Sequence, residues 1–245
     1  DSALVFGTRD GASEPAERLR IDSSGNVGIG AVPEAWTLFD VLQLGDGGSI
    51  ASVNASSKTI RLGSNQYYDG AWKRVATGVT TSYVQYNGGH IWNSTASGTL
   101  DVAFTETERM RIDSSGNLLV GGTTTTPHTN FTTPSTAFMA TGEIRSAANG
   151  SAVAQLNRTG SDGTITEFRK NGTAVGNIGT FGGYQYIIGG NAGGTHAGLR
   201  FINNASIRPC GSTGNDLNAT LDLGTSAARF KDLYLSGGVY LGGTG

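Results

Sequence analysis

Residues 17–26 read ERLRIDSSGN, and residues 108–117 read ERMRIDSSGN. The two phrases differ at one position, Leu19 against Met110, and lie 91 residues apart. In each, charged and apolar residues alternate (Arg18-Leu19-Arg20-Ile21 and Arg109-Met110-Arg111-Ile112), which is the period of a strand with one face on a core. Asp22-Ser23-Ser24-Gly25-Asn26 and its copy Asp113–Asn117 follow. They are turn chemistry, with an Asp to start the turn and a Gly for the left-handed position. Val27-Gly28-Ile29-Gly30 and Leu118–Gly121 then resume the alternation. Each phrase predicts a β-hairpin, and the duplication predicts a repeated structural unit. Glycine at alternate positions of Val27–Gly30 narrows that strand and suits close approach of another backbone.

Three further hairpins are expected around Asn-Gly or Asp-Gly pairs, which favour turns with positive φ at both central residues. Asn87-Gly88 predicts the pairs Tyr86–Gly89, Gln85–His90, Val84–Ile91 and Tyr83–Trp92, the last an aromatic cross-strand contact. Asp69-Gly70 predicts Tyr67 opposite Trp72, and Asn171-Gly172 joins two more strands. Helical periodicity is nearly absent. Ser226–Tyr234, SAARFKDLY, is the one candidate, a turn or two capped by Ser226.

Composition agrees with many short strands joined by tight turns. The 245 residues include 39 Gly and only 5 Pro, and the glycines have no period of three, which excludes collagen. Hydrophobic residues make up 37%, little for a compact chain of this length. A chain short of private core buries its surface between copies, so an obligate homo-oligomer is expected. Seventeen basic and nineteen acidic residues, without a basic cluster, argue against nucleic acid as a partner. No apolar run reaches the roughly 18 residues of a membrane-spanning helix, so no membrane insertion is expected. The ends of the chain fall within pattern, as in a piece of a longer polypeptide. The single cysteine, Cys210, reads as a small buried residue.

Four segments follow: 1–35 as the end of a first repeat unit, 36–126 as a second unit with hairpins, 127–220 as a distinct β-rich module, and 221–245 as a C-terminal element. Residues 123–135, TTTTPHTNFTTPS, read as a linker or an extended stretch.

Candidate chemistry is sparse. Asp101, Glu106, Glu108 and Asp113 cluster in sequence, and a glycosidase needs two carboxylates held across a bond. Asp22 and Asp113, however, share one turn position, which makes them turn formers. His90, His128 and His196 are far apart and show no zinc-ligand spacing. Neither a catalytic set, nor a metal site, nor a cofactor site is indicated. Trp72, Tyr83, Tyr86 and Trp92 are the candidate receptor-contacting residues, because aromatic rings stack on sugars. The alternative is that they pack the unit's own core or a subunit interface.

The phrase ERMRIDSSGNLLVGGT, with its echo RIDSSGNVGIG, resembles the recurrent phrase of bacteriophage tail fibre proteins. YYDGAWKRVATG, YVQYNGGHIW, LNRTGSDGTITEFRKNGTAVGNIGT and LGTSAARFKDLYLSGGVYLGG are similar to further segments of such fibres. The resemblance implies an all-β, elongated, parallel homotrimer of β-prism or triple-β-helix-like modules. It implies a virion location, contact with other tail proteins and a role in attachment to a bacterial surface glycan or protein. It transfers no catalytic residue. Two other readings stay open: a tailspike-like polysaccharide depolymerase, and a bacterial surface adhesin or filament subunit.

Overall fold

The computed structural model describes residues 2–9, 11, 13–53, 58–129, 134–190, 196–203, 205–239 and 242. The fold is all-β, with no α-helix among the described residues. The chain divides into two compact units, residues 1–153 and 154–245.

The first unit holds β1 (Leu4–Thr8), β2 (Ala16–Ile21), β3 (Val27–Ile29), β4 (Phe39–Leu44), β5 (Gly48–Val53), β6 (Ile60–Ser64), β7 (Tyr67–Tyr68), β8 (Trp72–Lys73), β9 (Thr81–Tyr86), β10 (Gly89–Ser94), β11 (Thr107–Ile112), β12 (Leu118–Val120), β13 (Ser135–Phe138) and β14 (Ile144–Ala147). Twelve of these form one sheet in chain order, while β7 and β8 form a separate ribbon. Neighbours in the sheet are antiparallel except β3 and β4, which run parallel. The sheet continues beyond residue 126, because Leu118–Val120 pair with Thr136–Phe138. A short 3-10 turn, Pro127–Thr129, lies in the Thr-rich stretch read as a linker, of which 130–133 fall outside the described residues.

Both copies of the duplicated phrase are hairpins, with Ile21 opposite Val27 and Ile112 opposite Leu118. Asp22 Oδ1 accepts the Ser24 and Asn26 amides (2.8 and 2.9 Å), and Asp113 Oδ1 accepts those of Ser115 and Asn117 (2.9 and 3.0 Å). The carboxylates thus replace backbone carbonyls in the turn. Gly25 and Gly116 take the left-handed position, at φ 89° and 83°.

The repeat is larger than the phrase. β1 pairs with β2 as β10 pairs with β11: Leu4–Ile21 matches His90–Ile112, and Phe6–Leu19 matches Trp92–Met110. The register shifts at the same place in both, after Phe6 and after Trp92, so Arg18 and Arg109 are bulge residues. Arg18 Nε donates to Thr8 Oγ1 and Arg109 Nε to Ser94 Oγ, both at 2.8 Å. Gly30 and Gly121 donate to the carbonyls of those two arginines at 2.9 Å. Glu17–Arg20 and Glu108–Arg111 form matching ion pairs.

Alternation along the strands gives this sheet two unlike faces. One is covered by the chain's own connections. There Val41 and Ala51 pack with Trp36 and Tyr67, flanked by Phe39, Tyr68, Trp72 and Val75. Arg61 lies under Trp72, 3.9 Å from the ring centroid, and pairs with Glu106. With its amide turned so that the oxygen faces the guanidinium, Gln66 accepts from Arg61 Nε (3.1 Å) and donates to Glu106 Oε1 (3.2 Å). Arg74 donates to the Gly78 and Ala96 carbonyls (both 3.0 Å) and stacks on Phe104.

The other face is open. A row runs across ten successive strands of the sheet, from Leu4 through Ile21, Val27, Leu42, Ile50, Leu62, Tyr83, Trp92 and Met110 to Val120. Every member is apolar or aromatic. On this face Leu4, Phe6, Ile29, Leu44, Ile50, Ile60, Leu62, Val120, Phe138 and Ile144 are each 40–70% exposed.

The second unit is an antiparallel meander of β15 (Gly163–Lys170), β16 (Thr173–Phe181), β17 (Tyr184–Gly189), β18 (Ala197–Ile202) and β19 (Ser206–Cys210). The Asn171-Gly172 hairpin forms as expected, with φ of 50° and 80° and Lys170 opposite Thr173. Tyr186, Ile188 and Cys210 are its buried core, and burial raises the Cys210 thiol pKa. Ile187, Leu199, Phe201 and Ile207 stand exposed on the other face. Ser226–Tyr234 is not helical. A segment of that length is marginal as a helix without a surface to pack on, and Phe230, Leu233 and Tyr234 are exposed.

Candidate functional site

The hairpin of β9 and β10 has the register expected from Asn87-Gly88, whose φ values are 49° and 76°. Tyr83 is opposite Trp92, with ring centroids 5.1 Å apart. His90 joins them: its ring stacks on Tyr83 at 5.9 Å and on Trp92 at 6.5 Å. Tyr83 Oη and His90 Nδ1 share a hydrogen bond. His90 and Trp92 are two apart on one strand, so they share a face, and pairing brings Tyr83 to that same face. The three rings form a platform on the open face.

Beside the platform is an open hollow of about 460 Å³, lined by Leu62, Ser64, Thr81, Tyr83, Trp92 and Arg109 among others. The bulge turns Arg109 to its margin, and the bond to Ser94 orients the guanidinium. The hollow combines an aromatic floor, two hydroxyls and a cation without a carboxylate partner among the described residues.

The other two candidate contact residues lie elsewhere. Tyr86 is an odd number of residues from Tyr83 and points to the opposite face, where it is exposed at the hairpin tip. Trp72 sits on the ribbon folded over the covered face. It is half-buried among Phe39, Tyr68 and Trp36, with Arg61 across its ring. The ribbon also corrects one register: Tyr67 faces Lys73, and Tyr68 faces Trp72. The loop has three residues, Asp69–Ala71, because the Tyr68–Trp72 pair packs edge to face with centroids 5.2 Å apart.

The carboxylates grouped in sequence are held apart by separate structural contacts. Asp101 accepts the Tyr67 hydroxyl (2.8 Å), Glu106 pairs with Arg61, Glu108 pairs with Arg111, and Asp113 closes its turn. Burial, then Asp101, raises the Tyr67 pKa above its ordinary value. Burial, then the charges of Asp101 and Asp46, raises that of Glu34. The Asn117 side-chain amide and the turn amides lower that of Asp113. No group of three metal-ligating side chains occurs among the described residues.

His90 and Arg109 escape a reading of the sequence to different degrees. The predicted hairpin already puts His90 diagonal to Tyr83. Arg109 reaches the hollow through a bulge that the phrase does not encode. Fold and site together define an all-β protein of mostly antiparallel sheets with an aromatic platform on an open apolar face. No family model, no curated protein and no solved structure matches the chain.

Proposed function

We propose that the chain is a structural segment of a phage tail fibre. On this reading three copies lie side by side in prism-like or triple-helix-like modules, their open faces turned inward, and the fibre presents the virion to a bacterial surface. The uncovered row across ten strands carries the reading. At about half of the ~200 Å² that a large side chain presents, the ten exposed residues offer on the order of 1,000 Å². The largest apolar patch of an ordinary monomer is about 300–600 Å², and a stable pairing needs about 800 Å² per partner. The duplicated three-stranded unit supports a part whose length is set by repetition. The four committed carboxylates favour this reading over a depolymerase.

A second reading rests on the hollow beside Tyr83 and Trp92, where a sugar ring stacks and Arg109 meets an acidic substituent. The two readings make opposite demands on one face, which is closed by a neighbouring copy in the first and free for a glycan in the second. Light scattering, with an unheated denaturing gel beside it, tests the first. A mass three times 25.2 kDa that survives detergent until boiling supports the fibre. A stable monomer overturns it and leaves the face free.

A further inference from the structure

We infer that the hollow where the tips of two hairpins meet, β9–β10 and β11–β12, is a binding site for one neutral sugar ring stacked on Tyr86. The hollow encloses about 320 Å³, within the range of small-ligand clefts. Tyr86 and Asn87 line it from the first tip, Arg111, Asp113 and Ser114 from the second, and Ile91 lies between them. It opens on the side of the sheet opposite the Tyr83–His90–Trp92 platform, because Tyr86 is an odd number of residues from Tyr83. It therefore stays accessible whether or not neighbouring copies close the open face, and the inference stands apart from the fibre reading.

The two tips lie together, since a Cβ on Gly88 would meet the Ser114 Cβ at 3.7 Å. Gly89 leaves a space between them. A Cβ there would sit 3.0 Å from the Ile112 carbonyl oxygen and 3.4 Å from that of Tyr86. The Tyr86 ring, 44% exposed, borders this space.

The polar groups around the hollow converge without satisfying one another. Arg111 holds Glu108 through Nε and Nη2, which leaves its Nη1 donors. Asp113 Oδ2 takes the Asn117 side-chain amide at 2.8 Å and keeps further acceptor capacity. The Tyr86 and Ser114 hydroxyls and the Asn87 side-chain amide make no hydrogen bond among the described residues. Donors and acceptors thus surround one aromatic ring. A pyranose meets that arrangement: its apolar face stacks on Tyr86, and each of its hydroxyls both gives and takes a hydrogen bond. Charge selects a neutral sugar. Glu108 already neutralises Arg111, and the Asp113 carboxylate repels an acidic one.

The test uses the full chain with 3-fluorotyrosine in place of tyrosine, observed by fluorine NMR. The probes are the methyl glycosides of glucose, galactose, mannose, N-acetylglucosamine and glucuronic acid. The Tyr86 signal, identified by its loss in Tyr86→Phe, is expected to shift saturably with at least one neutral glycoside while the Tyr83 signal stays in place. Saturation transfer to the glycoside then ranks the variants. Tyr86→Ala should weaken binding about tenfold. Asn87→Gly should weaken it about threefold, and because glycine suits the positive φ of that turn the hairpin is kept, so this variant decides the matter if Tyr86→Ala does not fold. The glucuronoside should bind more weakly than the glucoside. No shift with any neutral glycoside, a shift at Tyr83 alone, binding unchanged by both variants, or a preference for the glucuronoside overturns the inference. Light scattering on the same samples reads assembly separately. A monomer that still binds overturns only the fibre reading, and a trimer that binds none of the glycosides overturns only this one.

Discussion

Phe6 stands in the first copy of the repeat where Trp92 stands in the second. Each precedes the bulge, faces an apolar residue (Leu19 or Met110), and neighbours a bulge arginine bonded to a hydroxyl. What differs is the outer neighbour: Trp92 has the Tyr83 ring at 5.1 Å, whereas β1, which carries Phe6, is the first strand of the sheet among the described residues. One local fold thus recurs at two places in the sheet. The invariant part of the repeat is the turn and the bulge, and their stability is testable apart from any assembly.

Asp113→Asn should lower stability by about 1–2 kcal/mol near neutral pH. The variant keeps one acceptor for the turn amides but sets an amide group against Asn117 Nδ2. The sign with pH follows from the lowered pKa of Asp113 in the folded state. Its contribution is complete above the unfolded value and is lost as pH falls below about 4 through the folded value. Urea unfolding at a series of pH values should show the two proteins converging under acid. A constant gap would mean that the turn does not depend on the carboxylate's charge.

Arg61→Met should cost about 3–5 kcal/mol, because it leaves Glu106 buried without its cation. Arg61→Met with Glu106→Leu should recover at least half of that loss, since a buried ion pair replaced by apolar groups is often near neutral. Thermal unfolding of the two variants against the parent measures the difference. Equal losses in both would assign the stability to the Trp72–Arg61 stack and not to the pair.

Gly28 and Leu119 are equivalent positions of the repeat with opposite requirements. A Cβ on Gly28 would sit 2.2 Å from the Ala31 carbonyl oxygen and 2.8 Å from Pro33 Cδ, because the chain doubles back over that strand. Leu119 instead fills a buried place on the covered face. Gly28→Ala should destabilise by about 1–3 kcal/mol through overpacking, and Leu119→Ala by about 2–5 kcal/mol through a cavity. Denaturant midpoints report both. A neutral Gly28→Ala would show that the 31–33 connection yields freely.

The sequence and the structure agree where a local rule forces one answer. Asn87-Gly88 and Asn171-Gly172 need positive φ at two successive residues, so turn and register follow together. The Asp22 and Asp113 turns follow because one side chain satisfies two amides. The third strand of the repeat was hidden. The connection from β1 to β2 is five residues shorter than that from β10 to β11, so the 91-residue offset fails there. The Asp69-Gly70 loop departed from its rule because the Tyr68–Trp72 contact and the surrounding aromatic cluster outweigh the preference of two turn residues. The open face was legible only as a shortage of apolar residues. Their alignment into one row needed the register of every strand.

Ile112→Asp and Trp92→Ala, taken together, decide what covers that row. Ile112 lies on the open face opposite His90 and Leu118, half-buried, so an aspartate there can reach water in a single copy. Between copies the same carboxylate would be desolvated without a partner, a cost of several kcal/mol. The variant should keep its β-sheet circular dichroism and lose trimer mass in sedimentation velocity, as should Ile21→Asp. Trp92→Ala removes the floor of the hollow. If neighbouring copies close the face, it should also shift the equilibrium toward monomer. If the hollow serves a glycan, Trp92→Ala should leave the mass unchanged and abolish retention on acidic polysaccharide, with Arg109→Gln weakening it about tenfold. Trimers that form normally from Ile112→Asp and Ile21→Asp would remove the open face from the assembly and leave it to the ligand.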